Sequence, residues 1–393
     1  MPFSAGILSF WACPAVNEAR EAVLKIGLNA TCLNDRPSGA KQRFVGIYGE
    51  LVKRLPEAEF IVYEPADCRV GAWFDGAPNV TARLTPLPSE GRIGKFLLGL
   101  GYWRMALPKE RFDLFEGFNQ PLVRAPSGRT LLTIHDIRRM YSEYGVLEHT
   151  VYKLALRQAI DRADHVITVS QSMKQEILAF FPSAPISVIY NGLDGSGFAT
   201  LTETELLATR LKFKLPENFV LAVGHLEPRK NYLKLIDAMA TLRDRGQSCS
   251  LLIVGNDSGE RRVIEERIES VKLTGQVKFL HGLSDYDVRC VYKLCTLFVF
   301  PSSYEGFGIP LLEAMAAERP MVLSDIPVFR EITEDKGVYF PHDDAEAMAA
   351  AIEAVLSSSS ERARLIDYGK ERVQAFSFQI LAGQMAHLYK ALT

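Results

Sequence analysis

The sequence predicts an α/β protein built from two doubly wound domains that face each other across a cleft. Its 393 residues are too many for one ordinary core, and two domains of about 150–200 residues are the natural division. Short apolar runs alternate with amphipathic stretches along the chain, which is the pattern of parallel strands with helices on both faces. The alternation breaks once, around residues 195–216, where Thr, Gly and Glu dominate, and then starts again.

Taken in order, residues 1–22 read as an extension ahead of the first strand. Residues 6–15 are mildly apolar, but no basic region precedes them, so no signal peptide is expected. The first domain, 23–200, carries strands at 24–33, 59–64, 129–136, 165–170 and 186–192, with helical patterns at 42–55, 151–162 and 171–180. Residues 201–218 read as the linker. The second domain, 219–375, carries strands at 219–225, 250–255, 276–282, 297–303 and 320–325, each followed by a helical stretch. Residues 376–393 form a last helix with an apolar stripe.

Composition narrows the setting. Hydrophobic residues make up 48% of the chain, enough for real cores, and a formal net charge of −2 gives no sign of nucleic-acid binding. Cys13, Cys32, Cys68, Cys249, Cys290 and Cys295 are scattered without a C-x-x-C pair. That argues against a zinc site or a disulfide framework and fits a reducing, cytoplasmic compartment. No apolar run reaches the roughly 18–20 residues of a membrane span. Asn29 and Asn79 open formal glycosylation sequons, read here as chance matches.

In open parallel sheets, ligands bind beyond the carboxyl ends of the strands, and the informative motifs follow strands. "PSSYEGFGIPLLEAMA" places Glu305 in a loop, Gly306-Phe307-Gly308 at a helix start, Ile309 and Pro310 in the first turn, and Glu313 one turn inside. A helix N-terminus with approachable backbone N–H groups attracts anions, and carboxylates there accept hydrogen bonds from sugar or ribose hydroxyls. A capped helix with two surface acids would read the same way. "VGHLEPRKN" brings Gly224, Arg229 and Lys230 to the same sheet edge, where two cations could grip a diphosphate or simply be solvated. In the first domain, Gly39 and Ala40 open a helix after a strand, either to admit a phosphate or as a plain turn. "TIHDI" sets His135 and Asp136 at a strand end, as a proton shuttle and an acceptor contact or as a structural turn.

Two further stretches carry less. Asp285-Tyr286-Asp287 is formally a D-x-D, but Ser284 reads as an N-cap with the acids in the first turn, so no metal site is expected. Residues 91–112 mix Leu, Phe, Tyr and Trp with Arg92, Lys95, Arg104, Lys109 and Arg111. That composition suits either a half-buried helix or peripheral contact with the inner face of an anionic membrane.

Together these segments resemble the family 4 retaining glycosyltransferases of the GT-B fold, from about Lys25 to the C-terminus. The most specific part is Glu305-x7-Glu313; "VGHLEPRKN", "HVITVSQSMKQEI", "VIYNGLD" and "TIHDI" also look like family segments, in the expected order. The resemblance implies two Rossmann-like domains, with the first binding acceptor, the second binding nucleotide-sugar, and the last helix crossing back to the first. It further implies that Glu305 contacts the donor sugar and Glu313 the ribose. Arg229 and Lys230 would hold the diphosphate, and Phe307, Gly308 and Ile309 would give backbone contacts. His135 would lie near the donor sugar's C6 hydroxyl and the acceptor, while Gly39 and Ala40 would approach the diphosphate on closure. The chain departs from the pattern at His225, where many members have Arg, and at Ala40, where a second Gly is common.

The expected function is transfer of a hexose from a nucleotide-sugar to a saccharide or lipid-linked acceptor in bacterial surface polysaccharide assembly. "LEPRKN" with "YEGFGIPLLEAM" looks most like the mannosyltransferase branch, which makes GDP-mannose the expected donor. No carboxylate pair is set up as nucleophile and acid, so retention by front-face attack without a metal is expected. The alternatives are a hexosyltransferase using a UDP-sugar, a nucleotide-sugar 2-epimerase of the same fold, and a non-catalytic binder.

Overall fold

The computed structural model describes residues 23–118, 122–141, 146–247 and 249–393; the side chains of 92–97, 100, 108 and 146–148 lie outside that description. The extension read at 1–22 also lies outside it.

Among the described residues there are two parallel sheets. The first holds β1 (Lys25–Asn29), β2 (Glu59–Glu64), β3 (Val80–Leu84), β4 (Leu114–Gly117), β5 (Arg129–Ile134), β6 (His165–Thr168) and β7 (Ile186–Val188), in the order β3-β2-β1-β4-β5-β6-β7. The second holds β8 (Phe219–Val223), β9 (Ser250–Val254), β10 (Val277–Leu280), β11 (Leu297–Phe300), β12 (Met321–Ser324) and β13 (Val338–Phe340), in the order β10-β9-β8-β11-β12-β13. The direction of winding reverses between β1 and β4 and between β8 and β11. Loops leaving β1, β8 and β11 therefore open onto crevices where backbone and side chains can meet a ligand.

Three strands escape the apolar-run reading. β3 is an edge strand with mostly exposed side chains. β4 is four residues long and carries Glu116 at 0% exposure. β13 has only three residues.

The helix expected at 42–55 starts earlier, at Gly39, where the Ser38 hydroxyl accepts from the Lys41 N–H at 3.2 Å. It runs to Arg54 through a π-helical segment, Phe44–Tyr48. Wider turns of that kind interrupt α-helices chiefly at functional places.

The 201–218 stretch needs correction as a linker. It contains a helix, Glu203–Lys212, opened by a reciprocal capping box between Thr202 and Glu205. This helix packs on the helix Asp285–Leu294, and Lys212 reaches Asp287 at 2.9 Å. Propensity and capping thus attach the segment to the second domain's surface. Asp285 and Asp287 sit in the first helical turn, with the Ser284 hydroxyl accepting from the Asp287 N–H at 3.1 Å.

The last helix, Phe378–Leu392, buries Leu381, Ala382, Met385 and Tyr389 in the core of the first sheet. It lies along Gly49–Arg54, and Gly46 leaves room for the Phe378 ring. The Tyr389 hydroxyl donates to Glu116, as do those of Tyr48, at 2.6 Å, and Thr133. Three donors around one carboxylate explain how β4 tolerates a buried acid. Asn29 is buried, and its side-chain oxygen accepts from the Thr31 hydroxyl at 2.7 Å, which leaves that sequon structural. Among the described residues no helix is long and apolar enough to cross a membrane.

Candidate active site

The loop after β8 tightens into a short 3-10 turn, Pro228–Lys230, which ends at Asn231 in left-handed backbone, φ 57°. The Asn231 amide donates to the Pro301 and His342 carbonyls at 3.1 and 2.6 Å. The Ser303 N–H donates to the Arg229 carbonyl at 2.8 Å. The loops after β8 and β11 are therefore one bonded unit. Gly224 lies under the Lys230 side chain, where a Cβ would stand 2.8 Å from Cε.

Within that unit the charges interlock. Lys230 Nζ lies 2.7 Å from Glu305 Oε1, and Arg229 Nη1 lies 2.8 Å from Oε2. The Ser302 hydroxyl donates to Oε1 at 2.9 Å. Glu305 and Lys230 side chains are only 10% and 7% exposed, and Lys230 also stands 4.9 Å from the centre of the Phe300 ring. Burial alone would raise the Glu305 carboxyl, but Lys230 and then Arg229 outweigh it and hold it below the usual range. Burial pulls the Lys230 ammonium down, only partly opposed by Glu305 and reinforced by Arg229. Burial thus sets the direction for Lys230, and the two cations sharing one carboxylate set it for Glu305.

The helix that follows β11 runs Ile309–Ala316 with Pro310 in its first turn. Gly308 precedes it at φ 109°, a backbone state closed to most side chains. Phe307 points into the core at 3% exposure, and Ile309, also buried at 9%, turns its side chain toward Gly39 of the first domain. Glu313 is half-buried; burial pushes its carboxyl up to about 7, against the opposing bond from Tyr292.

The first domain closes directly on this loop. A Cβ on Gly306 would lie 2.1 Å from the His135 carbonyl oxygen and 3.3 Å from Asp136 Cβ. The Ser170 hydroxyl donates to the Gly306 carbonyl at 2.8 Å. A Cβ on Gly39 would lie 2.9 Å from Ile309 Cδ1. His135, Asp136 and Gly39 thus come together with Gly306 and Ile309 at one seam. His135 is half-buried, and burial depresses its imidazole to about 3, with Arg43 acting in the same sense. It is a neutral ring at physiological pH. Beside the seam is a cleft of about 560 Å³ lined from both domains, by Arg36, Ser38 and Ala40 on one side and His225, Asn256 and Asp257 on the other.

Several contributors were not singled out from the sequence. Glu227 accepts from Arg229 at 2.5 Å and from Arg138 of the other domain at 3.3 Å. The Tyr304 hydroxyl donates to Glu176 across the seam at 3.0 Å. Glu331 caps the helix Gln171–Phe180 from the opposite domain, taking the Gln171 and Ser172 N–H groups at 2.6 and 2.8 Å. Each is an ordinary charged or polar residue whose partner lies far away in sequence. The helix Arg92–Ala106 buries Trp103 against Tyr63 and Phe115 while Leu98 and Met105 stay exposed; Arg92 and Lys95 side chains lie outside the described residues.

Two parallel-sheet domains that meet across a cleft have the architecture of the GT-B glycosyltransferases. The comparisons agree: residues 204–372 match the profile described as glycosyl transferases group 1, and residues 47–196 match glycosyltransferase family 4. The chain belongs to glycosyltransferase family 4. It is 31% identical over 325 residues to phosphatidyl-myo-inositol mannosyltransferase of Mycolicibacterium smegmatis, covering 79% of this chain and 80% of that protein. It is 32% identical over 226 residues to O-antigen chain mannosyltransferase RfbU of Salmonella typhimurium; that match takes in 57% of this chain and spans 60% of the relative's length. Sucrose-phosphate synthase of Thermosynechococcus elongatus shares the fold, with a TM-score of 0.74 at 21% identity over 94% of this chain and 99% of that one.

Proposed function

We propose that the protein transfers mannose from GDP-mannose to a saccharide or lipid-linked acceptor in surface polysaccharide assembly, with retention and without a metal ion. The observation that carries the reading is the Arg229–Glu305–Lys230 cluster at the domain seam, beside the N-terminus of the helix Ile309–Ala316. The names of the two mannosyltransferase relatives support mannose as the transferred sugar, and that of the O-antigen chain mannosyltransferase supports the setting.

Charge dictates the steps. Without donor, both Glu305 oxygens are taken by Lys230, Ser302 and Arg229. An incoming diphosphate offers those cations a more highly charged partner, so Arg229 and Lys230 turn to it and Glu305 is released to accept sugar hydroxyls. Breaking the sugar–phosphate bond loads negative charge onto the diphosphate, toward which the two cations have turned and where the N–H groups after Gly308 lie. The backbone of Phe307, Gly308 and Ile309 meets sugar and phosphate, and Gly224 lets Lys230 lie flat. Gly39 and Ala40 approach from the other side on closure. Glu313 takes the ribose hydroxyls. The leaving phosphate takes the proton of the acceptor hydroxyl as it attacks on the same face, beside neutral His135, with Asp136 toward the acceptor. The cations supply the charge that a metal ion supplies in other transferases. The exposed side of the helix Arg92–Ala106 is where the protein would rest on a membrane holding the acceptor.

A thermal-shift screen of nucleotide-sugars tests the donor, because a ligand that binds only the folded state raises the melting point by mass action. GDP-mannose is expected to give the largest shift, and Lys230→Ala to abolish it. A larger shift with a UDP-sugar would overturn the donor. NMR of the first product's anomeric proton decides retention.

A further inference from the structure

Six charged side chains form one alternating row across the seam. Asp136 Oδ1 lies 3.8 Å from Arg138 Nε, and Arg138 Nη1 lies 3.3 Å from Glu227 Oε2. Glu227 Oε1 takes Arg229 Nη2 at 2.5 Å, and Glu305 takes Arg229 and Lys230 at 2.8 and 2.7 Å. Asp136 and Arg138 belong to the first domain, the rest to the second. Acids and bases alternate one for one, so the row is neutral as it stands.

Glu227 is the joint of this row. One oxygen holds the cation assigned to the diphosphate, and the other holds a cation of the opposite domain. Arg138 opens the 3-10 turn Arg138–Met140, close behind His135, whose carbonyl stands over Gly306. The side chains of Arg138 and Glu227 are 32% and 20% exposed. A carboxylate so enclosed that loses one cation depends on the other, because water replaces the lost partner only in part.

An incoming diphosphate breaks the neutrality and competes with Glu227 for Arg229. As Arg229 turns to the phosphate, Arg138 gains the whole Glu227 carboxylate. The repulsion between the two guanidinium groups falls as well, because phosphate now neutralises one of them. The pair that tightens is the one that joins the domains. The exchange also runs in reverse. Without Arg138, Glu227 leans wholly on Arg229 and holds it from the phosphate. Linkage gives both directions the same magnitude.

We infer that Arg138 and Glu227 are positioning residues that couple diphosphate binding in the second domain to closure of the first, through transfer of Glu227 from Arg229 to Arg138. The inference rests on the transferase reading, in which Arg229 holds the diphosphate, and it adds the contact by which the other domain responds.

Calorimetric titration of GDP, UDP, ADP and their monophosphates into the full chain tests it. For the base that binds, Arg138→Met should weaken the diphosphate about tenfold. It should leave the monophosphate, one phosphate shorter, within about twofold of wild type. Arg138→Lys keeps the charge and should restore most of the loss. In a Glu227→Gln background, Arg138→Met should change diphosphate affinity by less than about twofold, since the shared bond is already gone. Hydrogen exchange reads the wild-type protein directly. The bound diphosphate should slow exchange of the Met140 and Tyr141 N–H groups, which close the Arg138 turn on Ile137 and Arg138 carbonyls, and should not do so in Arg138→Met. Equal weakening of mono- and diphosphate, or an undiminished loss in the Glu227→Gln background, means that Arg138 only props the seam and overturns the inference. Unchanged exchange at Met140 and Tyr141 in wild-type protein that binds the diphosphate overturns it too, whether or not the variants fold. If no nucleoside diphosphate binds, the transferase reading fails instead.

Discussion

Lys230 Nζ sits 2.7 Å from Glu305 Oε1 with both side chains nearly enclosed, while Arg229 holds the second oxygen of the same carboxylate. Removing the shared anion leaves two buried cations facing each other, so Glu305→Ala should destabilise by about 3–5 kcal/mol. Lys230→Ala leaves Glu305 with Arg229 and should cost less. The double variant should fall near Lys230→Ala rather than at the sum, since the two sites share one interaction. Urea unfolding of the four proteins reads this, and additive losses would contradict the buried pair. Glu305→Gln should lower kcat about 100-fold or more.

Glu313 gives a pH signature in stability and in binding. Its folded carboxyl is raised from 4.5 to about 7, so the unliganded fold is favoured by its proton below 4.5 and loses that contribution as pH rises toward 7. The melting temperature should drop over this range by on the order of 5 °C relative to Glu313→Gln. Donor binding should strengthen over the upper part of the same window, because the ribose hydroxyls need the ionised carboxylate. Titrating donor affinity in both proteins checks the sign.

Gly306→Ala should separate closure from folding. The added methyl meets a backbone carbonyl at 2.1 Å in the opposite domain, and backbone cannot step aside. Activity should fall at least tenfold with little change in the second domain's stability. Gly39→Ala meets only the flexible end of Ile309, at 2.9 Å, and should be mild. Equal kinetic effects would mean the seam does not govern turnover.

His135 should leave no step near its ordinary value in the pH–rate profile, because its ring is depressed from 6.5 to about 3. The unfolded chain takes up this proton first, so stability is lost as pH falls from 6.5 toward 3. His135→Gln should remove that acid-side loss while still lowering kcat. Acid unfolding followed in both proteins is the measurement.

The alternating apolar runs announced ten of the thirteen strands; most of these, such as β5, β8, β9, β11 and β12, are buried along nearly their whole length, while the edge strands β7 and β10 are only partly covered. β4 stayed hidden because its charge, Glu116, is satisfied by hydroxyls from a π-helical segment at residue 48, a strand at 133 and a helix at 389. The site divides the same way. Gly306-Phe307-Gly308, Glu305 and Arg229-Lys230 announce themselves through order and position after strands. Arg43, Glu227 and Glu331 do not, since an isolated charge says nothing about a partner more than 80 residues away.

The final helix has a consequence for how the protein is made. Leu381, Met385 and Tyr389 belong to the core that β1 and β2 also build. The ribosome therefore delivers the first domain with its core unfinished. At roughly 5–20 residues per second, the roughly 200 residues between β7 and Tyr389 leave that gap open for about 10–40 seconds. In that interval the second domain can fold on its own sheet, while the first waits with an apolar groove beside Gly49–Arg54. The first domain to be synthesised is then the last to be completed, and translation must finish before that domain's side of the cleft is fully built.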